Sequence, residues 1–355
     1  MIARVFRYSF AQARARSLKG KLLSAEDWHY LSRMKSIEDL FRYLAGTEYG
    51  PALARLAGAK LDPGAVVFAL YEDLFRDYGK LLKAVPKTSG LLLRGLLARY
   101  EAENLKTILR GLWQGRLASE IRPLLYGLGS LSRLPFEELL GRREVTAAIE
   151  LLKPTFFHTP LRNALPQFQA QGRLFPLEMA IDRATLEHML EGAKTLGGLD
   201  RKGAEELLGE WVDGINLSWL VRFRHFYGLS AEEVINYTLK GGRRLGLRAL
   251  GRLARAADLP SFLQALPAPY DEALGQAQQW VELQGLLDRQ FVYALHRVFR
   301  RDPFQIGLPL SYLFLKEIEV KSLESLLSAV RTAEKAESLA GWVTLPAREP
   351  ARVQV

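Results

Sequence analysis

Apolar residues that recur at steps of three and four can be buried together only if the chain coils into helices and packs one on another, and this pattern runs through most of the 355 residues. Leu93, Leu97, Tyr100, Ile108 and Leu112 form one such series, and Leu208, Val212, Ile215, Trp219 and Phe223 another. Ser24 with Asp27, Ser36 with Asp39, and Ser230 with Glu233 predict helix starts, because a hydroxyl can cap the first turn while an acid three residues on reaches back. Asp302-Pro303 predicts a further start, with proline at the first helical position. Gly46, Gly79, Gly115 and Gly228 are predicted stops. Alternating strand patterns are scarce; the best, Ala65-Val66-Val67-Phe68, runs into a helical pattern. The expected fold class is all-α.

The helical pattern also repeats over a longer distance. Three segments set a polar residue inside an apolar helical stripe: Glu101 to Arg110, Asp213 to Arg222, and Glu319 to Leu327. Aligning Asn104, Asn216 and Ser322 gives spacings of 112 and 106 residues. Upstream of each lies a helical segment followed by a turn with an aromatic residue, and these aromatics, Tyr49, Phe157 and Tyr270, are 108 and 113 residues apart. Two landmarks with one period of roughly 110 predict three similar helical units. The expected boundaries are 1–130, 131–243 and 244–340, followed by a loose tail over 341–355 that carries Pro346 and Pro350. No flexible linker separates the units, so they are expected to pack as one body.

The side chains offer little chemistry. There is no cysteine, hence no disulfide, thiolate metal site or cysteine nucleophile. The five histidines, His29, His158, His188, His225 and His296, show no metal-binding spacing, so no metal site is predicted. Gly20-Lys21 and Gly79-Lys80 lack the remainder of a phosphate-binding loop, and no Gly-x-Ser-x-Gly turn occurs, so neither a cofactor nor a catalytic residue is predicted. The start of the chain has no apolar region of signal-peptide type. The longest apolar-looking stretch, Phe304 to Leu315, is too short to span a bilayer. The net charge of +10 admits an acidic partner, whether nucleic acid, anionic lipid or protein. Arg14, Arg16, Lys19 and Lys21 form one basic cluster, and Arg243, Arg244, Arg248, Arg252 and Arg255 another; elsewhere both signs are mixed, as on solvated helix faces.

Asn104 and Asn216 each lie on an apolar stripe. A polar group there costs about 1–3 kcal/mol unless it is hydrogen-bonded. The favoured reading is that each amide ties its helix to a neighbouring backbone; the functional reading is that both line a cavity between the repeats. Trp113, Trp211, Trp219 and Trp280 read first as core and second as contact surface.

Several stretches carry a family resemblance. Tyr8 to Ser24, with its basic run Arg14-Ala15-Arg16-Ser17-Leu18-Lys19-Gly20-Lys21, and Ser36-Ile37-Glu38-Asp39-Leu40 through Gly46-Thr47-Glu48-Tyr49-Gly50 resemble the opening of the C-subunit family (d-subunit in eukaryotes) of V-type and archaeal-type (A-type) rotary ATPases and ATP synthases. Glu103 to Arg110 is similar to the first repeat signature of that family. Pro176-Leu177-Glu178 with Asp182-Arg183, then Val212 to Arg222 and Leu239 to Arg243, resemble the second. Asp302 to Leu310 followed by Leu315 to Leu323 resembles the C-terminal part of the family. The sequence departs from the family where Ser322 replaces the usual asparagine. It also places Gly214 inside the second signature helix, which predicts a local weakening.

The resemblance implies a funnel of three helical domains around a pseudo-threefold axis. Such a protein has no catalytic site. It sits at the cytoplasmic face of the membrane and joins the central stalk to the proteolipid ring while ions move. Glu103, Asn104, Arg110, Asp213, Asn216, Arg222, Glu319 and Ser322, the signature residues, are the candidates for lining its central pocket. The basic balance admits an anionic membrane surface as a further contact. A different class also fits the charge: a basic α-helical nucleic-acid-binding or scaffold protein whose segment from Arg243 to Arg255 faces phosphates.

Overall fold

A computed structural model describes residues 2–58 and 61–332, and the tail expected at 341–355 lies outside them. Every regular element among the described residues is helical. The elements come in a recurring order, in which short helices lead into two long ones. After α1 (Ile2–Lys19) the short helices are α2 (Ala25–Leu31), α3 (Ile37–Ala45) and α4 (Gly50–Leu53), and the long pair is α5 (Pro63–Leu82) and α6 (Lys87–Trp113). A similar order follows with the short α7 (Ala118–Ile121), α8 (Phe136–Leu140) and α9 (Val145–Leu151), but here an additional 14-residue helix, α10 (His158–Gln171), precedes the long α11 (Phe175–Lys194) and α12 (Gly198–Val221). The order returns again with α13 (Ala231–Tyr237), α14 (Leu247–Ala254), α15 (Leu259–Gln264) and α16 (Tyr270–Leu274), then α17 (Glu282–Val298) and α18 (Gly307–Thr332).

The serine caps form as the sequence predicts. The Ser24 and Ser230 hydroxyls accept from the Asp27 and Glu233 backbone N–H groups, and each acid returns a bond to the cap's own N–H. The Ser36 hydroxyl accepts from the Asp39 N–H at 3.1 Å. Gly46 ends α3, while Gly115 and Gly228 follow helical segments at φ +68°, a backbone region that favours glycine.

Two expectations need correction. Gly79 does not stop a helix: α5 continues to Leu82. Asp302-Pro303 does not start one. The Asp302 carboxylate accepts from the Phe304 N–H at 2.9 Å in a bend, and α18 begins at Gly307. There Pro309 occupies the first turn, where the backbone N–H groups lack intrahelical acceptors and a missing one costs nothing. Gly214 does not interrupt α12, which runs on to Val221 and closes in a π-helical turn over Arg222–Phe226.

The described residues separate into two compact units, Lys87–Leu196 and the rest of the chain on either side of it. In the first, α6 lies along α11, close enough that a Cβ on Gly95 would stand 3.0 Å from the Met189 Cα. Leu105, Ile108, Leu109, Phe157, Leu177 and Ile181 belong to its core. In the second, α18 packs on α5, α1 and α17, and α12 packs on α17. Tyr8, Ala11, Ala15 and Leu18 bury the inner face of α1.

Candidate functional site

The signature segments fall on α6, α12 and α18, and each uses its polar residues in a similar way. On α6, the Asn104 Nδ2 donates to the Tyr126 carbonyl at 2.9 Å and its Oδ1 accepts from the Tyr126 N–H at 2.7 Å. On α12, the Asn216 Nδ2 donates to the Leu239 carbonyl at 3.0 Å and its Oδ1 accepts from the Leu239 N–H at 2.8 Å. Both amides thus satisfy both backbone groups of one residue 22 or 23 positions downstream, beyond the short helix that follows, α7 in one case and α13 in the other. This is the tie the sequence favoured, and it meets the hydrogen-bonding demand of a polar group buried to about 1% exposure or less.

An acid three residues earlier adds a second tie. Glu101 Oε1 accepts from the Ser132 hydroxyl at 2.7 Å and the Arg133 N–H at 2.8 Å. Asp213 accepts from the Arg244 N–H at 2.7 Å and the Leu245 N–H at 3.1 Å, and from the Tyr270 hydroxyl at 3.3 Å. The third acid, Glu319 on α18, takes its donors from the other end of the chain: the Leu23 N–H and the Tyr49 hydroxyl, each at 2.7 Å. Two of the three aromatic landmarks therefore belong with these clasps. Tyr49 and Tyr270 donate to an acid directly. Phe157, which has no hydroxyl, is buried in the same core as Ala102 and Leu105.

Burial governs the electrostatics here. It pushes the Glu319 and Asp213 carboxyls above their ordinary values, against the opposing pull of Lys316 on the former and of the backbone N–H groups on the latter. Burial likewise raises the Tyr49 phenol. Beside Glu319, the buried Lys316 ammonium lies 3.1 Å from Asp73 and 3.6 Å from Glu319, and 3.7 Å from the centre of the Tyr49 ring. Asp77 accepts from the Tyr312 hydroxyl and from Lys80.

Of the eight residues singled out in the sequence, Asn104, Asp213, Asn216, Glu319 and Ser322 are buried. Glu103 pairs with Lys106 at 2.8 Å and Arg110 with Glu178 at 2.5 Å; both keep nearly half of their side chains exposed, and Arg222 is exposed. Sequence reasoning missed Glu101. It stands three residues before Asn104, as Asp213 and Glu319 stand before Asn216 and Ser322, and that shared offset was the available signal. A separate cleft of about 210 Å³ is lined by Lys202, Glu206, Glu210, Arg243, Arg297 and Arg301 among others, and by none of the eight. Arg243 bridges Glu206 and Glu210 there, so this member of the basic cluster is turned into the fold. Among the described residues, no group of acids and histidines is arranged to hold a metal ion, and no helix is long and apolar enough to cross a membrane.

These features define an all-helical scaffold whose buried polar groups bind its own backbone. The chain belongs to the ATP synthase (C/AC39) subunit family, whose profile matches residues 11–338. It is 26% identical over 328 residues to the A-type ATP synthase C-subunit of Methanocaldococcus jannaschii, covering 90% of this chain and 82% of that one. It is 27% identical over 330 residues to the protein of the same name from Halorubrum lacusprofundi, covering 89% and 91%. With that of Methanothermobacter thermautotrophicus it shares 25% over 335 residues, covering 92% and 85%.

Proposed function

We propose that this chain is the adaptor of a rotary ATPase or ATP synthase rotor, a subunit with no catalytic site that joins the central stalk to the proteolipid ring at the cytoplasmic face of the membrane. The observation that carries the reading is the family match, which runs through all three signature helices. The organisation into three repeats, 1–130, 131–243 and 244–340, around a pseudo-threefold axis is part of the same proposal, as is a central pocket lined by the signature residues. The polar chemistry is consistent with such a role. A part that transmits torque needs helices fixed to their loops, and the clasps of Asn104, Asn216 and the three acids supply that without leaving a reactive group unpaired. Within the eight signature residues, the exposed side chains of Glu103, Arg110 and Arg222 are the ones available to a partner.

The test is affinity purification of the tagged chain from gently solubilised membranes of its source, followed by mass spectrometry. Recovery of stalk and ring subunits in fixed ratio is the expected result. Recovery of nucleic acid or unrelated proteins without ATP synthase subunits would overturn the reading.

A further inference from the structure

Exposed cations on the helices of this protein commonly have an acid one turn away. Arg42 pairs with Asp39, Lys153 with Glu150, Arg183 with Glu187, Lys194 with Glu191 and Arg201 with Glu205. Two long stretches of six cations differ. Residues 1–25 hold six cations and no acid, but there Arg4 pairs with Asp302, Lys21 with Glu48, and Arg16 donates to the Phe299 carbonyl. From Leu239 to Ala257 the sequence has six cations and no acid. Two of the six are used within the fold: Arg243 lies between Glu206 and Glu210, and Arg255 reaches Glu232 at 3.7 Å and the Gly251 carbonyl at 3.2 Å. Lys240, Arg244, Arg248 and Arg252, at intervals of four residues, are exposed, and among the described residues no acidic side chain is paired with them. Leu247, 60% exposed, lies among the last three. Arg248 and Arg252 are one turn apart on α14, and Arg244 stands just before its start; like charges so placed weaken a helix, and an opposite charge meeting them offsets the repulsion.

The backbone that carries these side chains is held in place. The Arg244 and Leu245 N–H groups bond Asp213, and the Arg243 N–H bonds the Gly209 carbonyl at 3.2 Å. A side chain on Gly242 would collide with the Asp213 carboxylate. Leu250, Leu253 and Ala254 bury the opposite face of α14. A face fixed in advance loses less freedom on docking.

We propose that Arg244, Arg248 and Arg252, with Leu247 between them, form a docking face for an acidic helical segment of another protein in the complex, with carboxylates one turn apart and an apolar residue to meet the leucine. This rests on the functional reading above, which places the partner in the same assembly. The leucine favours a polypeptide over a nucleic acid, because a phosphate backbone offers it no apolar contact. Arg243, which would extend a phosphate-binding run, is already committed to two glutamates.

The test compares tagged wild-type chain with R244E/R248E/R252E in purification from solubilised source membranes. The arginines are exposed, so the variant should melt as the wild type does. Recovery of ATP synthase subunits should fall about tenfold or more, and wild-type recovery should fall as salt rises from about 50 to 200 mM. A milder R244Q/R248Q/R252Q chain removes charge without reversing it and should lose less. Because the protein has no cysteine, Leu247→Cys supplies a single thiol for a short photo-crosslinker in the assembled complex; a crosslink to an acidic helical segment of one partner protein is expected. If wild type recovers the subunits and the charge-reversed chain does so equally, or if the crosslink forms to lipid, to nucleic acid or not at all, this inference fails while the functional reading stands. If wild type recovers no ATP synthase subunit, the functional reading fails and takes this inference with it.

Discussion

An asparagine side chain offers two donors and an acceptor oxygen, and Asn216 uses one donor and the oxygen on a single backbone residue, closing α12 onto Leu239. Asn216→Leu would leave both polar groups of Leu239 buried without partners. The expected loss is about 2–4 kcal/mol in urea unfolding, and a loss under about 0.5 kcal/mol would mean that the amide is not the tie. Glu319 makes the pH-dependent case. Burial raises its folded-state value above the 4.5 of the unfolded chain, so the native state holds the proton more tightly. Its contribution is therefore most favourable below the unfolded value and declines as pH rises through the folded one. Glu319→Gln cannot titrate, so the wild type's advantage over it should be larger near pH 4.5 than near pH 8. Unfolding curves at both pH values test this, and an advantage that grows with pH would refute it. Sequence periodicity made the two asparagines and two of the three acids legible, since a polar residue in an apolar stripe stands out. Glu101 escaped because its own segment offers Glu103 one residue from Asn104, and only the partner loop distinguishes the buried acid from the exposed one.

At the scale of elements, glycines that look alike in the sequence have opposite surroundings. A Cβ on Gly214 would meet nothing within 4 Å, whereas one on Gly95 would press on the Met189 backbone where α6 crosses α11. Gly214→Ala should stabilise the protein by about 0.5–1 kcal/mol, because alanine gives up less freedom in a helix. Gly95→Val should destabilise it by about 1–3 kcal/mol through overpacking. Thermal melting of both variants checks the pair, and the reverse order would show that the glycine surroundings are misassigned. Helix starts were legible where the signal is local: a serine and an acid three residues on are enough to build the caps of α2, α3 and α13. The start of α18 was not, because its cap comes from far away. The Ile306 N–H bonds Asp200 of α12 at 2.9 Å, and Asp200 also accepts from the Tyr8 hydroxyl of α1. A proline two residues inside the real start and another four residues before it read alike until that acceptor is known.

At the scale of the whole molecule, the period near 110 residues was readable, but not which segment completes which. α6 and α12 each clasp a residue 22 or 23 positions downstream, just past the next short helix, whereas α18 reaches back to Leu23 and Tyr49, 296 and 270 residues away. The aromatic landmarks precede their signature segments in the sequence, yet Tyr270 bonds the acid of the signature before it, and Tyr49 bonds that of the last. Periodicity reports likeness between segments and carries no information about contact. The N-terminal segment therefore acts as part of the structure around α18. α1 contributes Tyr8, Ala11, Ala15 and Leu18 to that core, and its Arg16 donates to the Phe299 carbonyl at 3.1 Å. Deleting residues 1–19 would expose the α18 surface that these side chains cover and leave Asp200 without the Tyr8 hydroxyl. The expected cost is about 3–5 kcal/mol, the scale of losing one buried aromatic and one leucine together with smaller contacts. Hydrogen exchange locates the damage: amides of α18 and α5 should exchange faster in the deletion variant, while those of α6 and α11, in the unit Lys87–Leu196, keep their protection. Unchanged exchange in α18 would mean that the N-terminal helix is an accessory layer, and that the Leu23 and Tyr49 bonds to Glu319 hold this part of the fold without it.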